Sequence, residues 1–164
     1  MLARLRDDEP GYAEAVVKEV LRTRPVLTIA ARKLVAPFAL GGWELPARVH
    51  VAPCLYLTHR RPELYPDPTA FRPQRFLGDG APDSYAWIPF GGGIRRCVGA
   101  AFATMEMAEV LRAVAARVTL APGRPAGERM RRRSVTLTPQ HRGSVIAAPL
   151  LSDARCRSSA ATTA

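Results

Sequence analysis

Five prolines, Pro62, Pro66, Pro68, Pro73 and Pro82, punctuate the stretch THRRPELYPDPTAFRPQRFLGDGAPD. Each removes a backbone donor and fixes φ, so the stretch cannot run as a long helix or a central strand. It reads as a meandering excursion, and regular structure must form on either side of it. On the N-terminal side Ala13, Val16, Val17, Val20 and Leu21 recur at helical spacing until Pro25 ends the run. On the C-terminal side a second helix follows Cys97, with Ala100, Ala103, Met107, Val110, Leu111 and Val114 on one side. Phe102 and Met105 make its start apolar almost all round, which predicts that its first turns are buried.

The remaining segments read as small β units. KLVAPFALGGWELPARVHVAPCLYL alternates short β-branched and aromatic runs with Gly41-Gly42 and Pro46-Ala47, the pattern of small hairpins. SVTLTPQHRGSVIAA gives two alternating runs around a Pro-and-Gly turn, predicting one hairpin. The fold class expected is α+β, mainly α-helical, in one domain over 1–150. The small, polar tail at 151–164 is expected to be disordered.

With 164 residues, 48% of them hydrophobic, the chain can build a real core. The net charge of +10 would permit nucleic-acid or anionic-membrane binding, but the basic residues are nearly all arginine and are spread along the chain. The densest run, Arg129 to Arg133, is short enough to read as a solvated loop or the start of a strand, and nucleic acid is not expected as a partner. No stretch approaches the roughly 18 apolar residues of a membrane span. The first ten residues lack the apolar segment of a signal peptide, so a cytoplasmic location is expected. Cys54, Cys97 and Cys156 show neither CxxC nor Cys/His ligand spacing, which argues against a disulfide framework and a structural zinc site.

The segment WIPFGGGIRRCVGAAFATMEMAEVLRAVA sets Cys97 between a glycine-rich loop with two arginines and the second helix. As a phosphate cradle it lacks the Gly-Lys-Ser/Thr that places an ammonium on the phosphates. A cysteine-based phosphatase needs an arginine a few residues beyond the nucleophile, where this chain has Val98, Gly99, Ala100, Ala101 and Phe102. A buried free cysteine packs well enough, yet leaves the glycines and arginines without a purpose. A metal-ligating thiolate uses them all. The helix dipole and free N–H groups favour the thiolate, and glycines let the backbone approach a flat ligand. Arg95 offers a cation for a carboxylate on that ligand. Haem combines iron, a flat face and carboxylates.

The loop resembles that of the cytochrome P450 family, Phe-x-x-Gly-x-Arg-x-Cys-x-Gly, through Phe90, Gly93, Arg95, Cys97 and Gly99. Two further motifs follow the family's order. Glu19 and Arg22 in EVLR resemble its Glu-x-x-Arg pair, and Arg75 in FRPQRF resembles the arginine that completes a buried triad with them. Taken alone, Glu19 and Arg22 would read as a surface i, i+3 ion pair.

The resemblance implies that Cys97 is the axial ligand of haem b (iron protoporphyrin IX), with Arg95 and Arg32 facing its propionates and Phe90 shielding the sulfur. For Arg32, an exposed strand position is the other reading. His59 could face the haem carboxylates, although a loop histidine in a polar run is ordinarily solvated. Substrate contacts would come from Val26–Ile29 and from the hairpin tip, Thr138–Ser144. The implied reaction inserts one oxygen atom from O2 into a small organic substrate. Electrons would come from NAD(P)H through a ferredoxin or a flavoprotein reductase, whose acidic surface the chain's basic balance suits.

The likeness covers only the family's C-terminal portion, and no acid–threonine pair in an Ala-Gly-rich helical setting occurs in the sequence. Two expectations of different class follow: an N-terminally truncated monooxygenase, or a non-catalytic haem-binding module that could be one half of a split enzyme.

Overall fold

Helix α2, Tyr12–Thr23, is buried on two sides, and this sets the architecture. The computed structural model describes residues 1–78 and 81–150, so the tail expected to be disordered lies outside the described residues. One side of α2 presents Ala13, Val16, Val17 and Leu21 to a core shared with Leu5, Ala108 and Ala115. Leu5 belongs to α1, Leu2–Arg6, a one-turn helix that the apolar periodicity did not announce because a single turn has no period to read. The other side of α2 carries Ala15, Glu19 and Arg22 at i, i+4 and i+7 and faces the proline-rich excursion. Val20, expected on the apolar face, is 42% exposed.

Helix α4, Ala100–Arg117, packs on α2 through buried alanines, with Met107 and Leu111 against the same core. Ala100, Ala108 and Ala115 are its buried residues, and small side chains at those points let the two helices approach closely. Of the expected inward face, Ala100 is buried and Met107 and Leu111 pack against the shared core, while Ala103 and Val114 are only half-buried. Val110 is largely exposed. The predicted burial of the first turns does not hold either: Phe102 is 64% and Met105 55% exposed, because nothing in the described residues packs on that side. Arg112 ties the helices together, reaching Asp8 at 3.2 Å, Glu14 at 2.7 Å and Glu109 at 2.6 Å.

All strands pair in twos, antiparallel. β2, Phe38–Leu40, pairs with β3, Trp43–Leu45, around Gly41-Gly42, whose φ values of 58° and 83° make the turn that glycine allows. β1, Arg32–Lys33, pairs with β4, His50–Val51. The LYL run that follows is a short helix, α3, Leu55–Thr58, not a strand.

The late segment corrects the expected hairpin. β7, Thr136–Pro139, pairs with β6, Met130–Arg133, and β8, Val145–Pro149, pairs with β5, Val118–Pro122. Alternation predicted the strands but not their partners. A tight turn at Ser134, φ 57°, closes β6 onto β7, while the Glu128 carboxylate accepts the N–H groups of His141 and Gly143 and holds the next loop apart. Since every strand lies at a sheet edge, Pro122, Pro139 and Pro149 are tolerated.

Candidate functional site

The proline-rich excursion is folded around a buried ion cluster. Glu19 and Arg22 are fully buried and joined by two hydrogen bonds, from Arg22 Nε to Oε2 at 2.7 Å and from Nη2 to Oε1 at 2.8 Å. The remaining Arg22 donors go to the carbonyls of His59 (2.8 Å), Pro68 (2.8 Å) and Ala70 (3.1 Å). Arg75, 11% exposed, approaches Glu19 Oε1 at 3.3 Å and donates to Pro66 O. The Arg72 N–H donates to the same Oε1 at 2.7 Å. A segment that its prolines keep out of regular structure thus has its carbonyls satisfied by arginine forks. Tyr65 lies under both guanidiniums, 4.9 Å from Arg22 and 5.9 Å from Arg75, and its hydroxyl donates to Ala86 O at 2.9 Å. Burial pushes its phenol up to about 12.

His59 is fully buried among these groups, and the structure corrects both expectations for it, solvation or a place facing a ligand. Its Nε2 accepts the Ile88 N–H at 3.0 Å. Burial, followed by the positive charges of Arg22 and Arg60, pulls its pKa down to about 4.

From Ile88 the chain enters the cysteine loop. Trp87 anchors it, packing edge-on between Phe76 and Phe90, both at 6.1 Å, and donating Nε1–H to the Lys18 carbonyl of α2 at 3.0 Å. The Gly91 N–H donates to Ile88 O at 2.9 Å, and a single 3-10 turn spans Gly93–Arg95. The Cys97 N–H then returns to Phe90 O at 3.0 Å, closing the loop two residues before Gly99, the N-cap of α4. Gly91 (φ 73°) and Gly93 (φ 65°) adopt left-handed conformations, and a Cβ on either would meet open space. Gly91→Ala therefore costs backbone strain without a clash. The expected destabilisation is about 1–2 kcal/mol in urea unfolding, and a variant as stable as the parent would show that the loop relaxes.

An apolar cavity of about 650 Å³ opens above this loop. Phe90, Gly91, Arg95 and Cys97 line one side, with Cys97 exposed. The segment after α2 lines another, through Leu27 to Arg32. It is fixed in place because Leu27 bridges Thr136, Ile29 bridges Cys54, and the Leu137 N–H donates to Val26 O at 2.7 Å. Arg32 is exposed, with Nη1 donating only to the adjacent Ala31 carbonyl at 2.9 Å. Among the described residues neither Arg32 nor Arg95 has an acidic partner.

Cys97, Phe90, Arg95 and Arg32 thus share one cavity, together with part of the expected Val26–Ile29 contact segment. Gly93 and Gly99 shape the loop from behind. The Thr138–Ser144 tip is not at the cavity. Its place is taken by Arg132, Val135 and Leu137, because β7 turns back on β6. Glu19, Arg22 and Arg75 form a cluster of their own, joined to the loop entrance through His59 and Tyr65, while Trp87 ties the loop to α2. Trp87 and Tyr65 were not legible as site residues, and His59 was legible only as a residue that could face the haem carboxylates. Their only signal is that large side chains with one polar handle flank the excursion and the loop. An exposed thiol, two guanidiniums without acidic partners among the described residues and the bare backbone of Gly91 can receive a flat, anionic, metal-bearing ligand.

Residues 10–145 match the family model described as Cytochrome P450. The chain is 45% identical over 134 residues to the cytochrome P450 138 of Mycobacterium tuberculosis, covering 81% of this chain and 30% of that protein. To cytochrome P450 135B1 of the same organism it is 44% identical over 135 residues, 82% of this chain and 28% of that one. The chain therefore spans under a third of the length of these curated relatives. Among solved structures, the retinoic acid-bound cyanobacterial CYP120A1 superposes with a TM-score of 0.77 at 30% identity, over 85% of this chain and 32% of that one. A mutant cytochrome P450DA heme domain gives 0.76 at 21% identity, over 84% and 30%, a likeness of fold.

Proposed function

Because the chain belongs to the cytochrome P450 family, we propose that its residues 1–150 form the thiolate-bearing portion of a haem-thiolate monooxygenase, with Cys97 as the residue whose thiolate would hold the iron of haem b. The observation that carries this reading is the cavity in which the exposed Cys97 meets Arg95 and Arg32 beside Gly91. The residues fit the group. Open space where a Gly91 Cβ would stand leaves room for a flat macrocycle, and the two arginines without acidic partners suit its two propionates. Bound there, haem would supply the activation of dioxygen, one atom entering an organic substrate and the other leaving as water with two protons and two electrons from NAD(P)H through a ferredoxin or a flavoprotein reductase.

The chain's own residues bind, orient and exclude water. Phe90, half-buried against Trp87, shields the sulfur side. Gly93 and Gly99 keep the backbone on either side of Cys97 free of bulk. Leu27, Ile29, Val135 and Leu137 give an apolar wall for a small organic substrate. Glu19, Arg22 and Arg75 touch neither cavity nor ligand, and their part is to hold the scaffold.

A second reading, haem binding without turnover or service as one half of a split enzyme, is favoured by the exposure of Val98, Phe102 and Met105. An apolar surface of this kind asks for a covering polypeptide. The test is the absorption spectrum of the haem-loaded chain, reduced under carbon monoxide, beside Cys97→Ser. A strongly red-shifted band present in the parent and lost in the variant is the expected result. Identical spectra resembling free haem would sink the ligand assignment.

A further inference from the structure

We propose that His59 is a positioning residue for Cys97: its ring nitrogen holds the entrance of the cysteine loop in the conformation that presents the thiol to the cavity. The inference deepens the reading of Cys97 as a haem ligand and rests on it for its functional meaning. Its structural content stands separately.

The geometry is a relay of hydrogen bonds between two parts of the fold. The His59 carbonyl accepts Arg22 Nη1–H at 2.8 Å, so the buried ion cluster fixes the His59 backbone. The ring extends the other way, and Nε2 accepts the Ile88 N–H at 3.0 Å. The Ile88 carbonyl takes the Gly91 N–H at 2.9 Å, and the Phe90 carbonyl takes the Cys97 N–H at 3.0 Å. One imidazole thus joins the Glu19–Arg22 cluster to the loop at Ile88, beside the Tyr65 hydroxyl on Ala86 O and the Trp87 ring on the Lys18 carbonyl. Since Nε2 accepts, the ring is neutral and carries its proton on Nδ1. The ring lies edge-on to Tyr65 at 6.4 Å, and burial beside Arg22 and Arg60 keeps the cationic form disfavoured. A neutral acceptor is what the Ile88 amide requires. Glycines at 91–93 make the loop intrinsically loose, so an anchor just upstream governs how often Cys97 leaves its native position.

The full chain, its His59→Phe variant and its His59→Gln variant are compared by amide hydrogen exchange, with the α2 amides as an internal reference. Phe retains a buried ring but removes the acceptor, whereas the Gln carbonyl can take the Ile88 N–H. The expected result is that His59→Phe accelerates exchange at Ile88, Gly91 and Cys97 by about tenfold or more relative to α2. His59→Gln should restore most of that protection. Acceleration of all amides together, or a loop as protected in His59→Phe as in the parent, would overturn the proposal. Should His59→Phe not fold, the ring nitrogen shifts of the parent decide: an unprotonated Nε2 at neutral pH supports the relay, and a protonated Nε2 refutes it. None of these readouts needs haem, so a failure of Cys97 to ligate iron, seen by spectroscopy, is told apart from a failure of His59 to hold the loop.

Discussion

Glu19→Gln is expected to cost about 3–5 kcal/mol and, at ordinary domain stabilities of about 5–15 kcal/mol, to leave the chain marginally folded or unfolded. The magnitude follows from what the carboxylate does. It is fully buried, receives both the Nε and Nη2 forks of Arg22, lies 3.3 Å from Arg75 Nε and accepts the Arg72 N–H. A carboxamide keeps the volume but has no charge and has one acceptor oxygen for these donors. Arg22 would remain without access to water and with no counter-charge, and Arg75 would lose its acidic partner. The three carbonyls that Arg22 holds, those of His59, Pro68 and Ala70, belong to the excursion, so the damage spreads to the segment under the cysteine loop. Arg75→Lys is the graded control. Arg75 is partly exposed and its contact with Glu19 is longer, so its loss should cost clearly less. Urea unfolding followed by circular dichroism measures both. A Glu19→Gln penalty under about 1 kcal/mol would place the pair among weak surface bridges and remove it as the organiser of the excursion.

The sequence was most legible where a period or a spacing carries the physics. The apolar repeat from Ala13 to Leu21 marked α2, Gly41-Gly42 marked the β2–β3 turn, and the fixed spacing from Phe90 to Gly99 marked the loop. It was least legible where the partner decides. Alternation around Pro139 and Gly143 looked like one hairpin, yet β7 and β8 belong to different pairs, because strand partners are set by turns such as that at Ser134. Helix α4 misled in another way. Its spacing marked Ala100, Met107 and Leu111 as inward, and these do pack inward beside Ala108 and Ala115, but Val110 on the same face and the apolar first turn, with Phe102 and Met105, are left exposed. The pattern of a helix records every surface it can bury, including ones that the described residues do not cover. His59 shows the converse. In a run of arginines and prolines it looked solvated, and only the folding of the excursion around Arg22 puts its ring under Ile88.

That burial makes the fold acid-sensitive in a window above the range where carboxylates titrate. In the unfolded chain the imidazole has its ordinary value of 6.5, while in the fold burial comes first, and the fields of Arg22 and Arg60 next, in pulling it to about 4. Arg22 from α2, Arg60 beside it in the chain and Tyr65 from the excursion are the titratable groups around the ring, and none supplies a negative charge near neutral pH. Below pH 6.5 the unfolded chain therefore takes up a proton that the folded chain refuses. The stability contributed by a neutral His59 is complete above pH 6.5, declines as pH falls, and is spent once the folded pKa near 4 is passed. Between pH 7.5 and pH 5, where the carboxylates remain ionised, the expected loss is about 2 kcal/mol. Urea unfolding at the two values measures it, and His59→Gln should flatten the difference because glutamine does not titrate. The slope and the loop's hydrogen exchange are linked. If acid weakens the parent but not His59→Gln, and the first amides to lose protection are those from Ile88 to Cys97, the histidine transmits protonation to the cysteine loop. If both proteins lose stability equally, the acid effect arises at other groups, and the neutral imidazole is not what keeps the Ile88 amide in place.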